Sequence, residues 1–302
     1  MKYKILSTSP TFGHYVSEPV DYLRENGCEV TLAPKGSKFS EQDLVENMAG
    51  IDAAIVGFER ITQPVIQSAK NLKVIAKHGA GVDNIDIRAA TDKGIVVISA
   101  FGANSDAVAD LTFGLFLSLA RKIPFADRTV KEGGWPRIVG TQVNEKTLGI
   151  IGCGEIGKKV TKRALGFDMT VLAYDVVKDK EFAQKSGISY RSLDEVMAES
   201  DFISVHVPLT DSTRKLIGKR ELELMKREAF LVNIARGGVV DEEALYEALK
   251  DGKIRGAALD VFLSEPPKGN PLLVLDRVVA TPHMGAYTTE ALMKPGLLGA
   301  RA

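Results

Sequence analysis

Short apolar runs rich in β-branched residues alternate along the chain with stretches whose apolar positions recur at helical spacing. In the first half the short runs fall at 4–7, 29–32, 53–56, 74–77 and 96–98, with helical patterns such as 18–26 and 41–48 between them. Strand followed by helix, repeated, predicts crossover connections and mostly parallel sheets. The order resumes at 147–151, 170–174, 202–206, 230–233, 257–260 and 278–280, where the runs are almost continuously apolar, as for strands covered on both faces. Between the halves, 104–121 is apolar nearly all round from Leu111 to Ala120. Asn104 or Ser105 can cap this helix, and its composition predicts burial on several sides, between domains or subunits. The pattern predicts an α/β protein of two Rossmann-like or flavodoxin-like domains with parallel sheets and a cleft between them. The expected ranges are 1–100 for a substrate domain, with a tail at 287–302 returning to it, and 101–286 for a nucleotide-binding domain.

Composition narrows the function classes. The 302 residues are 45% hydrophobic and 26% charged, enough for two cores. Lys+Arg and Asp+Glu balance at 39 each, without the basic excess of a nucleic-acid-binding protein. Cys28 and Cys153 are isolated, which offers neither a disulfide framework nor a metal cluster and suits a cytoplasmic location. No apolar run reaches membrane-spanning length, and the first residues read as a strand rather than a signal peptide. No metal, nucleic-acid or membrane partner is expected.

The strongest chemical signal is TLGIIGCGEIGKKVTKRALGFDMTVLAYD. A strand runs into Gly152-x-Gly154-x-x-Gly157 and a helix follows; a second strand ends at Asp175, 18 residues beyond Gly157. This is the layout of a dinucleotide site: Gly152 for the tight turn, Gly154 for backbone approach to a pyrophosphate, Gly157 for close helix–strand packing. Asp175 suits a ribose 2′-hydroxyl and repels a 2′-phosphate, and Val176 and Val177 supply no cation to receive one. NAD is therefore the expected cofactor. Three late segments supply reactive side chains at or near strand ends: Arg236 in NIARGGVVDE, Glu265 in LDVFLSEP and His283 in TPHMGAYT. Arginine can grip a carboxylate in two places, histidine exchanges a proton near neutrality, and glutamate can orient an imidazole. Taken singly, each also fits an ordinary structural role.

Together with VHVPLT and Gly79-Ala80-Gly81-Val82-Asp83-Asn84, these segments resemble the D-isomer-specific 2-hydroxyacid dehydrogenase family over nearly the whole chain. The resemblance implies an NAD-dependent oxidoreductase that interconverts a D-2-hydroxy acid and its 2-oxo acid. It implies Arg236, Glu265 and His283 as the catalytic set, with Ala80 and Gly81 joining Arg236 at the substrate. NAD contacts are implied at Gly152, Gly154, Glu155, Ile156, Gly157, Asp175, Val207, Pro208, Thr213, Ile234, Ala235, Arg236, Asp260, His283, Gly285 and Ala286. KHGAGVDNID, GFERIT and the 135–137 region are most similar to the short-form 3-phosphoglycerate dehydrogenase branch. Glyoxylate or hydroxypyruvate reduction is the alternative, and an NAD(H)-sensing corepressor is the alternative of another class. Some relatives carry an arginine where Gly57 stands; Arg60, Lys77 and Arg137 are the basic residues that could serve a substrate phosphate instead. The 104–121 helix suggests a homodimer. After His283 a helix can start near Thr288, but Pro295 and Gly296 are expected to interrupt it and leave the first domain without its closing element.

Overall fold

The computed structural model describes residues 2–301; the outermost positions of the expected domain ranges, Met1 and Ala302, lie outside the described residues. The chain divides into two compact units, one running to Ala107 and resuming at Ala286, the other spanning Val108–Gly285. The first division falls inside the helix Ser105–Arg121.

The first unit holds β1 (Lys4–Ser7), β2 (Glu29–Leu32), β3 (Ala53–Val56), β4 (Val74–Lys77) and β5 (Val96–Ser99). They form one parallel sheet in the order β2-β1-β3-β4-β5. Alternate residues of these strands feed two cores. Leu6, Ala54, Val56 and Ile75 pack with Leu44, Met48, Val65 and Ile66, while Ile5, Ile55 and Ala76 pack with Phe12, Val20 and Leu23. Local chemistry sets the helices between them. Pro19 opens Glu18–Glu25, and Ser40 and Asp43 form a capping box on Glu41–Asn47.

The last helix, Thr289–Arg301, belongs to this unit and corrects the expectation at Pro295: the helix continues through the proline. Pro295 removes one backbone N–H, yet Ala291, Leu292, Pro295 and Gly296 are all buried. A Cβ on Gly296 would stand 2.7 Å from Pro19 Cγ, so the helix lies closely on Glu18–Glu25. The Leu292 carbonyl accepts a hydrogen bond from His78 Nε2 at 3.1 Å. Packing and this tie outweigh the lost hydrogen bond, and the closing element is present.

The second unit carries β6 (Thr147–Ile151), β7 (Thr170–Tyr174), β8 (Ser189–Tyr190), β9 (Phe202–Val205), β10 (Phe230–Asn233), β11 (Gly256–Leu259) and β12 (Val278–Ala280). The sheet is parallel, in the order β12-β11-β10-β9-β6-β7-β8. This is the doubly wound dinucleotide order extended by one edge strand, and its direction reverses beside β6. Two-residue β8 escapes sequence reading because it is too short to show periodicity. Ser105–Arg121 buries Phe113, Leu115, Phe116 and Leu119; Phe116 meets Phe202 edge-on at 5.3 Å, and Phe113 stacks on Phe167 at 5.3 Å. The expected side-chain cap is absent: Asn104 Oδ1 and Ser105 Oγ are buried without a hydrogen-bond partner. No helix among the described residues is long and apolar enough to cross a membrane.

Candidate active site

The turn after β6 has the shape the glycines foretell. Gly152 takes φ +96°, and a Cβ there would stand 2.8 Å from the His206 carbonyl carbon. At Gly157 a Cβ would lie 2.3 Å from the Gly152 oxygen, so helix Glu155–Leu165 rests directly on the turn. Gly154 differs, with open space where its Cβ would be and no side chain capping the helix. The exposed helix start, with Glu155 and Ile156 in its first turn, therefore offers unobstructed N–H groups to an anion. At the end of β7, Asp175 Oδ2 accepts from Cys153 N at 2.7 Å and Oδ1 from Val177 N at 2.9 Å. The carboxylate is thus fixed beside the glycine turn, and these residues fit a dinucleotide.

Beyond β9, Val207 packs against Gly152, while Thr213 Oγ1 donates to the Pro208 carbonyl at 2.5 Å and accepts from Thr210 N at 2.8 Å. His206 lies between strand and loop. Its Nε2 meets Ser204 Oγ at 2.6 Å, its Nδ1 is sealed and unpartnered, and burial pushes its pKa down to about 3. The residue as a whole keeps partial exposure, so the ring atoms rather than the average accessibility decide this shift.

After β10 the chain turns through Ile234, Ala235 and Arg236. Buried Asn233 sets that turn, its Oδ1 accepting from Ala235 N at 3.1 Å and its Nδ2 donating to the Arg236 carbonyl at 3.0 Å. At Gly237 the loop passes so near the segment after β11 that a Cβ would stand 2.0 Å from the Phe262 carbonyl oxygen. That approach brings Arg236 to the loop bearing Glu265.

Asp260, 1% exposed, follows β11. Its Oδ1 accepts from Thr281 Oγ1 at 2.5 Å and Met284 N at 2.9 Å, and its Oδ2 from Gly285 N at 2.9 Å. The loop after β12 is therefore pinned on both sides of His283, whose backbone is left-handed at φ +52°. His283 Nδ1 meets Glu265 Oε2 at 2.8 Å, and Glu265 Oε1 accepts from Phe262 N at 3.1 Å. Burial pushes the Glu265 pKa up, but the His283 hydrogen bond and charge, the Phe262 N–H and the Arg236 charge outweigh it and hold it below the usual carboxylate range.

The second unit thus brings Arg236, Glu265 and His283 to the carboxyl edge of the sheet that carries the glycine turn. Ala80 and Gly81 follow β4 in the first unit, and Ala286 begins that unit's second segment. Asn233 and Thr281 escape sequence reading, because a strand-end asparagine or threonine gives no pattern that separates an anchor from a solvated side chain.

Residues 113–285 match the family model described as D-isomer specific 2-hydroxyacid dehydrogenase, NAD binding domain. The chain belongs to this family. Among 2-hydroxyacid dehydrogenase relatives, the D-3-phosphoglycerate dehydrogenase of Methanocaldococcus jannaschii is 47% identical over 98% of this chain and 56% of its own length. The chain therefore spans little more than half of that relative. The hydroxypyruvate reductase of Thermotoga maritima is 42% identical over 94% of each chain. Among solved structures, TT0316 protein from Thermus thermophilus superposes with a TM-score of 0.91 at 36% identity, covering 98% of this chain and 94% of that one.

Proposed function

We propose that this 2-hydroxyacid dehydrogenase family member interconverts a D-2-hydroxy acid and its 2-oxo acid with NAD. The reading rests above all on the 2.8 Å His283–Glu265 pair at the sheet edge that bears the glycine turn. NAD, when bound, supplies the hydride acceptor for oxidation and, as NADH, the donor for reduction. Nδ1 of His283 faces Glu265, and on this reading Nε2 is the ring nitrogen that exchanges the substrate hydroxyl proton. Ionised Glu265 fixes the ring orientation and offsets the charge of the imidazolium. Arg236 grips the substrate carboxylate and polarises the carbonyl, aided by N–H groups of Ala80 and Gly81. On this reading the first unit binds substrate and the second NAD. Pro208, Ile234, Ala235, Gly285 and Ala286 join the glycine turn in the NAD site.

The relatives' names offer 3-phosphoglycerate, hydroxypyruvate and glyoxylate as candidate substrates. We further propose that the chain acts in the cytoplasm as a homodimer. Helix Ile123–Lys131 buries none of its side chains and Trp135 is 87% exposed, which supports pairing of this surface with a second copy; a monomeric mass by light scattering would refute it. For the reaction, NADH absorbance is followed with 2-oxo acids. His283→Ala should lower kcat by about 10²–10⁴-fold, the usual contribution of a general acid, while NADH still binds. Retained turnover rules out the assignment.

A further inference from the structure

The glycine turn and the loop after β7 share one charged corner inside the second unit. Helix Glu155–Leu165, which follows the turn, carries Lys158 at its fourth position. Lys158 Nζ donates to Asp179 Oδ2 at 2.7 Å and stands 5.4 Å from the centre of the Phe182 ring. Asp179 ends the loop that begins at Asp175 and caps the next helix, Lys180–Ser186, its Oδ1 accepting from Phe182 N at 2.9 Å. The Asp179 backbone is held as well, its N–H donating to Tyr190 Oη at 3.2 Å. The Tyr190 hydroxyl in turn donates to the Cys153 thiol, and Cys153 N donates to Asp175. Lys158, Asp175 and Asp179 are thus tied into one frame through Cys153 and Tyr190.

Other cations beside this loop are turned away from the corner. Lys178 and Arg191 lend their charge to Glu195, at the start of helix Leu193–Glu199. That helix packs Val196 and Met197 into the core on one face of the sheet, with Leu172 of β7. Helix Glu155–Leu165 packs Val160 and Ala164 into the core on the other face, with Val171 and Ala173. Lys158 therefore belongs to the face of the glycine turn's own helix. The charges of Lys158 and Asp175 both act on the Cys153 sulfur, so the two side chains flank the same atom. The ion pair is open to solvent, with the Lys158 side chain 32% exposed and that of Asp179 37%.

Resting on the reading of Asp175 as the acid on the ribose, we infer that Asp179 is a second determinant of NAD over NADP, acting through Lys158. Asp175 repels a 2′-phosphate directly, whereas Asp179 withholds the ammonium that would attract one. A paired carboxylate and ammonium present no net charge to a phosphate; a released ammonium is a ready, charged donor. Specificity then rests on a removed attraction as well as on a repulsion.

The test measures dissociation constants of NADH and NADPH from the fluorescence of the bound nicotinamide, which requires no substrate. Asp179→Asn keeps an oxygen for the Phe182 cap and removes the charge that holds Lys158. It should raise NADPH affinity relative to NADH by about fivefold, the upper range of one exposed ion pair. Added salt should shrink that gain. In a Lys158→Gln background most of the gain should disappear. An unmoved ratio in folded Asp179→Asn, or an equal gain without Lys158, overturns the inference. Asp175→Ala in the same assay keeps the two readings apart. If it shifts the ratio and Asp179→Asn does not, the ribose acid stands and this inference falls; if neither shifts it, both fall. Should the asparagine variant fail to fold, Asp179→Ser, which retains a capping hydroxyl, takes its place.

Discussion

Asp260→Asn tests how the histidine is held. The carboxylate receives three donors from the loop that carries His283, and Met284 and Gly285 follow that histidine directly. An asparagine can keep its oxygen toward Thr281 and Met284, but its amide then points N–H groups at the Gly285 N–H. One buried donor is left unmet, at about 1–3 kcal/mol, and the remaining bonds lose the reinforcement of a charged acceptor, for a total of roughly 2–4 kcal/mol. Holding His283 at φ +52° itself costs on the order of 1 kcal/mol. The variant therefore removes more support than the strained residue can spare, and the loop relaxes before the sheet unfolds. A displacement near 1 Å in a reacting group lowers rate by about 10²-fold, so kcat for 2-oxo acid reduction should fall by that order. NADH affinity from fluorescence and the melting temperature separate loop relaxation from global loss of fold. An unchanged kcat in the folded variant would show that Asp260 does not set the position of His283.

Three further outcomes follow from the geometry. Gly237→Ala drives a methyl group into the Phe262 carbonyl and should destabilise the second unit by at least about 3 kcal/mol; a wild-type urea midpoint would contradict the close approach. Asp175→Ala should reduce the preference for NAD over NADP by about tenfold or more, the worth of one hydrogen bond to a charged group, read from the ratio of kcat/KM values. His206 has a folded pKa of about 3 against 6.5 when unfolded, so the unfolded chain binds more protons in that interval. Its contribution is complete above 6.5 and fades as pH falls toward 3, by at most about 1.4 kcal/mol per pH unit. Unfolding free energies at pH 7 and 5.5 should therefore diverge more in the wild type than in His206→Gln, and equal slopes would refute the burial argument.

Much of this was legible in the chain because the signals are periodic or local. Continuous apolar runs mark strands covered on both faces, and β6, β7 and β10 lie at the expected positions. The glycine turn is readable because each glycine answers a separate steric demand at fixed spacing. What escaped depends on contacts between distant segments. Pro295 looks like a helix stop until Phe12, Pro19 and the His78–Leu292 hydrogen bond are set against it. Likewise, Asn233 and Thr281 are ordinary polar residues until the first is set inside its own turn and the second against Asp260.

The return of the last helix to the first unit has a consequence for biosynthesis. The Leu292 carbonyl that receives His78 lies 214 positions further along the chain. At about 5–20 residues per second, a ribosome makes that partner roughly 10–40 s after His78 has been joined to the nascent chain. The contiguous stretch Val108–Gly285 can close its sheet before then, whereas the earlier-made strands wait with Phe12 and Pro19 uncovered on the side the helix will occupy. Of the two units, the first begins synthesis earlier and is completed later, and in the interval its open face is exposed to aggregation and to chaperones.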